Sequence, residues 1–267
     1  MADHLYYVYA VVPADIAIEA APPGIDGYAV GLIADGDVAA LAGRIDAAVY
    51  GSGVDDRIAD VSWLAPRATA HDAVLTWASD LGAVVPLPLL SLFRSEDAVR
   101  AMLAERRDEL RDLLERLARG REYGVRIFRV DQELRRVLSS FSPELAALEA
   151  EVSSAPSPGQ AYLLRRKLDG ARKDEIDRVA ATIASAAYNE LATHALASTQ
   201  DPLPKTDPDQ KGAAVLNAAF LVGHGRIDEF RAALTTFMRE HNGRGFRLEF
   251  TGPWPPYHFA RSVSDAG

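Results

Sequence analysis

The stretch LYYVYAVV, residues Leu5–Val12, decides the fold of the N-terminal half of the chain. It is rich in aromatic and β-branched residues and is followed by Pro13, as is typical of a β-strand. Downstream, the runs Tyr28–Ala34 and Val38–Ile45 flank Asp35-Gly36-Asp37. An Asp-Gly pair between two such runs predicts a β-hairpin, so the chain opens with a strand and then a two-stranded hairpin.

A helix and a further strand follow this hairpin. The spacing of apolar residues predicts a helix over Ser62–Leu81, which Gly82 ends. Ala83–Phe93 is apolar and is predicted to be a buried strand. The candidates for the buried side of the helix are Trp63, Val74, Trp77 and Leu81. The order strand, hairpin, helix, strand indicates an α+β sandwich related to the ferredoxin-like arrangement.

One long amphipathic helix is predicted over Ser95–Arg119. Ser95 provides an N-cap, Glu96 and Asp97 lie at the positive end of the helix dipole, and Gly120 follows the last turn. Apolar residues recur along it at steps of three and four, at Val99, Met102, Leu103, Leu110, Leu113, Leu114 and Leu117. We expect this helix to close the first domain by packing on its sheet.

The second half predicts a further α+β unit that is richer in helix. A strand at Tyr123–Val130 is followed by short helices and by a helix from Ser157 to Ala197, with a break near Gly170. A surface loop at Ser198–Gln210, a strand, a helix and the strand Phe246–Thr251 complete it. We expect an N-terminal ferredoxin-like domain at 1–118, a C-terminal domain with long helices at 119–260, and a disordered tail at 261–267.

Composition excludes several classes of function. The chain has 267 residues and a net charge of −9, which argues against a nucleic-acid partner because such partners need clustered cations. It has no cysteine, which removes thiolate metal sites and cysteine nucleophiles and fits a reducing cytoplasm. The N-terminus shows no basic leader, and no apolar run reaches the ~18 residues that span a bilayer. We therefore expect a cytoplasmic protein without membrane insertion.

Residue patterns for catalysis are scarce. The six histidines show no His-Glu-x-x-His zinc pattern, and no nucleotide-binding loop or nucleophile elbow is present. His71-Asp72 is interpreted as polar capping at a helix start, with a catalytic pair as the minor alternative. Glu122 follows Arg119-Gly120-Arg121 at a structural junction, where it alternatively anchors a basic group of a partner. The sequence thus predicts no enzyme, no metal and no cofactor.

A basic cluster lies on the long helix. It consists of Arg165, Arg166 and Lys167, together with Arg172 and Lys173 further along the helix. In an acidic protein such a cluster is most often a solvated face or part of intramolecular ion pairs. The alternative is a contact with a small anion or with an acidic surface of a partner protein.

The run GPWPPYHF, Gly252–Phe259, is the most distinctive motif of the chain. Its three prolines hold the backbone extended, so ordering it costs little entropy. One interpretation is that the run covers the sheet of its own domain. The other is a preformed surface that docks on a partner protein, because rigid aromatic side chains are effective anchors. The predicted contact residues are Pro253, Trp254, Pro255, Tyr257 and Phe259.

Along nearly its whole length the chain resembles the gas vesicle accessory proteins of the F/L type (GvpL/GvpF). The motifs that carry the resemblance are YVYAVV at Tyr7–Val12, HDAVL at His71–Leu75, VVPL at Val84–Leu87, REYGV at Arg121–Val125, GQAYL at Gly159–Leu163, NAAFLV at Asn217–Val222 and TGPWPPYHF at Thr251–Phe259. The last is highly specific, and the others are weak singly but occur in the expected order. Pro88–Ser91 departs from the family, which usually has Arg, an apolar residue and Gly-Thr there.

The resemblance implies two α+β domains, the first a modified ferredoxin-like one, and a non-enzymatic role in building gas vesicles, the hollow protein shells that make cells buoyant. It implies the hydrophobic shell protein, and further accessory proteins, as partners, with the protein located in the cytoplasm and at the gas vesicle. A soluble acidic protein with an aromatic docking surface would shield that subunit before it polymerises. The alternative is a small-molecule-binding or enzymatic ferredoxin-like protein. A deep polar pocket with His71 or His258 favours this alternative, and a shallow apolar groove favours the accessory role.

Overall fold

The computed structural model describes residues 4–51, 54–204, 212–241 and 243–260. By its contacts the chain divides into a first unit, Met1–Glu122 with Pro253–Gly267, and a second unit, Tyr123–Gly252. Each contains sheet and helices, so the predicted α+β class is confirmed. This division differs from the predicted domain bounds 1–118 and 119–260 mainly in the residues after Gly252, which belong to the first unit. The tail predicted at 261–267 lies outside the described residues.

The first unit is built on one antiparallel sheet. Its strands are β1 (His4–Pro13), β2 (Val30–Asp35), β3 (Val38–Asp46), β4 (Val85–Pro86) and β5 (Leu92–Phe93). The order is β2-β3-β1-β4, and β5 pairs with β1 beside β4. The predicted hairpin is β2 and β3, which pair from Val30 with Gly43 to Asp35 with Val38.

Strand β1 is the centre of this unit. Every residue from Tyr7 to Val12 is completely buried, so both faces of the strand are covered, which explains its continuous apolar sequence. On one face, Tyr7 and Tyr9 pack against Val74 and Leu75. The helices are α1 (Ala47–Tyr50), α2 (Val54–Ile58), α3 (Val61–Leu81), α4 (Glu96–Glu105) and α5 (Arg107–Leu117). Of these, α1, α3 and α5 contact β1 directly.

Two predictions for α3 need correction. Leu81, expected on the buried side, is 49% exposed, because it is the last residue of the helix, before Gly82. His71 does not cap a helix start, since it lies in the middle of α3 and is buried. The cap is Asp60, whose carboxylate accepts the backbone N–H of Ser62 at 2.9 Å.

The helix predicted over 95–119 is interrupted. Ser95 caps α4 as expected, at 3.2 Å from the N–H of Ala98, but Arg106 leaves helical geometry with φ −111° and ψ 13°. Arg107, the next residue, forms an ion pair with Asp35 at the hairpin turn. This tertiary contact accompanies the interruption, and no Gly or Pro in the sequence marks it.

The strand predicted over 83–93 is reduced to the two short strands β4 and β5. Pro86 and Pro88 have no N–H to donate, so a continuous ladder cannot form. Between the two strands, Leu90 adopts a left-handed backbone with φ 66°, and its N–H donates to the Tyr7 hydroxyl at 3.1 Å. Leu90 lies within the stretch Pro88–Ser91, where the resemblance implies a glycine.

The described residues of the second unit form four strands and four α-helices. The strands are β6 (Gly120–Arg129), β7 (Ala197–Gln200), β8 (Ala213–Gly223) and β9 (Phe246–Trp254), in the order β7-β8-β6-β9. The helices are α6 (Asp131–Val137), α7 (Pro143–Ser153), α8 (Pro158–Thr193) and α9 (Ile227–His241). Strand β7 overlaps the start of the stretch Ser198–Gln210 predicted to be a surface loop, and 205–210 of that stretch lie outside the described residues.

Helix α8 runs without the break predicted near Gly170. It has 36 residues, about 54 Å at 1.5 Å per residue. A glycine inside a helix costs only about 1 kcal/mol, and Leu168 and Ile176 on either side are buried in the core of the unit. Packing of these neighbours therefore holds the helix together through Gly170.

Candidate functional site

The closing segment, Pro253–Ala260, is anchored within the first unit. Pro255 and Pro256 are buried, whereas Pro253 is exposed. The backbone turns after them, because the N–H of Tyr257 donates to the carbonyl of Pro255 at 2.7 Å, and the N–H of Ala260 to that of Pro256 at 3.1 Å. The buried prolines therefore fix the position of the segment, and the aromatic residues project from a defined backbone.

Glu122 is the main polar anchor of the closing segment. Its side chain is 1% exposed, and its carboxylate accepts the backbone N–H of His258 at 3.0 Å and contacts the ring Nδ1 of the same residue. Arg116 on α5 donates to the carbonyl of Phe259 at 2.7 Å. The carboxylate is satisfied within the chain, so the alternative that Glu122 binds a partner is wrong.

Tyr257 adds a third anchor, on α3. Its hydroxyl donates to the Asp72 carboxylate at 2.5 Å. Burial and the neighbouring Asp72 charge raise the pKa of Tyr257 well above its ordinary value, so the hydroxyl is the neutral donor. Three residues of the first unit thus hold the eight-residue closing segment: Asp72 on α3, Arg116 on α5 and Glu122 at the start of β6.

Part of the aromatic surface is left open. Trp254 is 44% and Tyr257 is 37% exposed, whereas Phe259 is half-buried. Of the five predicted contact residues, Pro253, Trp254 and Tyr257 are accessible, and Pro255 serves the docking of the segment on its own unit. Contact with a partner at these residues stays a prediction.

The His71-Asp72 pair is divided between two structural roles. Nδ1 of His71 lies 2.8 Å from the Tyr7 hydroxyl, and a backbone hydrogen bond links the ring to Leu87. Burial lowers the pKa of His71 to about 4, so the ring is neutral near pH 7. Asp72 instead accepts from Tyr257. His71 is a hydrogen-bonded core residue that orients Tyr7.

The basic cluster lies in the second unit. Arg165, Arg166 and Lys167 are all exposed on the N-terminal part of α8. Arg172, one turn further along, forms ion pairs with Glu149 at 2.9 Å and with Asp169 at 3.6 Å. A contact between the cluster and an anion or an acidic partner stays a prediction.

A groove between α8 and α9 was not foreseen from the sequence. It has a volume of about 700 Å³ and is lined by the last three turns of α8 and by most of α9. Its lining includes Ala186, Ala187, Ala232 and Ala233, paired small residues that recur on both helices. These alanine pairs are the feature of the sequence from which a groove between the two helices could have been predicted. The groove is apolar, and neither His71 nor His258 lines it.

Neither a metal-binding cluster nor a membrane-spanning helix occurs in the part of the chain that the structure describes. Within it, no group of three or more His, Cys, Asp or Glu side chains is placed to hold a metal ion. None of the helices in the described ranges combines the length and the apolar character that a bilayer crossing requires.

The sequence is similar to known gas vesicle proteins along nearly its whole length. The family model for gas vesicle synthesis protein GvpL/GvpF matches residues 5–261. Gas vesicle protein L of Streptomyces sp. (strain CB03234) is 33% identical over 97% of this chain and 93% of the relative. Gas vesicle protein L2 of Halobacterium salinarum is 28% identical over 96% and 91%.

Solved structures give the same fold. The crystal structure of GvpF from Anabaena sp. PCC7120 superposes with a TM-score of 0.68 at 19% identity, covering 97% of this chain and 98% of that one. The sequence match spans both structural units and includes the anchors of the closing segment. The chain therefore belongs to the GvpL/GvpF family of gas vesicle synthesis proteins.

Proposed function

We propose that this gas vesicle protein binds the hydrophobic shell subunit through its closing segment and supports assembly of the vesicle, without catalysing a reaction. It acts in the cytoplasm and at the vesicle, as an assembly factor or as a minor structural component. Other accessory proteins of the vesicle are further partners.

The observation that carries the proposal is the pair of exposed rings, Trp254 and Tyr257, on a segment that is held from three sides. Pro255 and Pro256 are buried, and Glu122 and Arg116 bind the backbone beyond them. A rigid segment loses little entropy when its aromatic side chains dock on a partner. This arrangement favours recognition of an apolar surface over chemistry.

The free energy that the two exposed rings can contribute indicates how strongly the closing segment would bind a single subunit. About 40% of two aromatic side chains is on the order of 150 Å², worth about 4 kcal/mol at ~25 cal/mol per Å². That free energy corresponds to a Kd of about 1 mM, before the costs of association. Two rings alone therefore give a weak site. A shell that repeats the same subunit many times compensates through multivalent binding.

The test is retention of the purified chain on shell subunit immobilised at high density. We expect Trp254→Ala and Tyr257→Ala to weaken retention strongly. Tyr257→Phe should weaken it less, because the ring persists although its hydrogen bond to Asp72 is lost. Ile58→Ala is the matched control, since Ile58 is 40% exposed in the same unit but lies outside the closing segment. Equal retention of the wild type and all four variants, or no retention of the wild type, contradicts the proposal.

A further inference from the structure

The groove between α8 and α9 has the dimensions of one row of side chains. Its lining runs from Thr182 to His194 on α8 and from Glu229 to His241 on α9, about 18 Å on each helix. The two stretches are antiparallel, because Nδ1 of His194 lies 3.9 Å from Oε2 of Glu229. A volume of about 700 Å³ over this length leaves a cross-section of about 40 Å². A whole helix, about 10 Å across, does not fit, whereas the side chains along one helical face do.

The chemistry of the groove is apolar within and acidic at the rim. Ile183, Ala187 and Phe237 are buried or half-buried, and all three line the groove. Glu190 and Glu229 also line it, with side chains 69% and 58% exposed. A third carboxylate, Glu240, lines it from the last turn of α9. Arg226 pairs with Glu229 at 3.1 Å, which offsets part of the negative charge at that end of the groove.

The opposite chemistry occurs on the N-terminal part of the same helix. Tyr162 is 60% and Leu163 is 67% exposed. They are followed by the exposed cations Arg165, Arg166 and Lys167. These five residues form the donor strip. Leu163 and Arg166 are three residues apart on the helix, so an apolar and a cationic side chain share one face.

The donor strip cannot reach the groove of its own chain. Helix α8 is continuous from Pro158 to Thr193, so Leu163 and Ala187 are fixed about 36 Å apart along its axis. Only a second copy of the chain can bring a donor strip to a groove. The charges are then complementary, because three cations of one copy meet a rim with three carboxylates, of which Glu229 also pairs with Arg226 of its own chain.

We propose that the chain associates with itself, the donor strip of one copy lying in the α8–α9 groove of the next. Tyr162 and Leu163 fill the apolar interior, and Arg165, Arg166 and Lys167 pair with the glutamates at the rim. Donor strip and groove are different surfaces, so the contact is heterologous and builds chains or closed rings. The proposal goes beyond the shell-binding function and requires no other protein.

Two exposed positions allow a test that leaves the core intact. Leu163→Asp places a negative charge in the donor strip, and Ala186→Arg places bulk and positive charge in the groove. In sedimentation velocity across micromolar to millimolar concentrations, wild type is expected to grow in mass with concentration. Each variant is expected to need about tenfold more protein for the same association, as the loss of one apolar anchor or the addition of one repulsive charge implies.

A mixture of the two variants is the decisive sample. Leu163→Asp retains an intact groove and Ala186→Arg retains an intact donor strip, so together they form one wild-type contact and stop at a dimer. Matched controls are Leu203→Asp, at a leucine that is 52% exposed outside the donor strip, and Ala181→Arg, at an exposed alanine of α8 outside the groove. Both should associate as wild type does. A wild type that stays monomeric, or a mixture that stays monomeric, overturns the proposal.

Discussion

Acidification from about pH 7 to about pH 4 should destabilise the first unit through one buried side chain, His71. In the folded state its pKa is lowered to about 4 by burial, against an ordinary value of 6.5. Between these values the unfolded chain binds one proton more than the folded chain. The free energy of unfolding therefore falls as the pH falls, by about 1.4 kcal/mol per pH unit. The contribution is complete above about pH 6.5, and about 3 kcal/mol of it is lost by pH 4.

The local hydrogen bonds explain why protonation of the His71 ring is unfavourable in the folded state. The Tyr7 hydroxyl accepts the N–H of Leu90 and donates to Nδ1 of His71, while the other side of the ring bonds to the backbone of Leu87. A second proton on the ring forces Nδ1 to donate towards Tyr7, which leaves the phenolic hydrogen without its acceptor. Tyr7 is completely buried and His71 is only 6% exposed, so water cannot readily replace the lost hydrogen bond.

The assay is urea unfolding of wild type and of His71→Gln at several pH values. Glutamine keeps a donor and an acceptor but does not titrate in this range. Tryptophan fluorescence reports the first unit, because Trp63, Trp77 and Trp254 all belong to it. The stability difference between the two proteins cancels the titration of carboxylates they share. His224→Gln, at an exposed histidine of the second unit, is the control. A difference that stays constant from pH 7 to about pH 4.5 refutes the reasoning.

Three further predictions concern stability. Glu122→Ala should lower the free energy of unfolding by about 3 kcal/mol, because it removes the buried acceptor of the closing segment, and Glu122→Gln should lower it by less than half of that. Urea unfolding monitored by tryptophan fluorescence measures both values. Equal losses for the two variants contradict the anchoring role. The Leu90→Gly variant should be more stable than the Leu90→Ala variant by about 1 kcal/mol, because φ is 66° at this position. At a position with negative φ the alanine variant would be the more stable one. The melting temperatures of the two variants show which is more stable. Gly245→Ala should lower the free energy of unfolding by several times the roughly 1 kcal/mol that Gly243→Ala costs, as measured by circular dichroism melting. Both glycines have positive φ, but only at Gly245 does the new Cβ meet backbone, 2.5 Å from the nitrogen of Leu134.

Local sequence determined the elements whose causes are local. The aromatic and β-branched run Leu5–Val12 made β1, Asp35-Gly36-Asp37 made the hairpin, and Ser95 capped the helix that follows it. These features depend on backbone propensity and on hydrogen bonds between residues close in the chain, so they can be read from the residues alone. The family could also be predicted from the sequence alone, because its motifs are short and occur in a fixed order.

Tertiary structure alone decided the rest. Whether Gly170 broke α8 depended on what its neighbours packed against, and the interruption at Arg106 accompanies a pair with Asp35, 72 residues away from Arg107. The anchoring of the closing segment by Glu122 joins residues 136 positions apart. The α8–α9 groove exists only once two helices pack side by side. Such contacts carry no local signature, since their free energy arises from groups that are neighbours only in the folded chain.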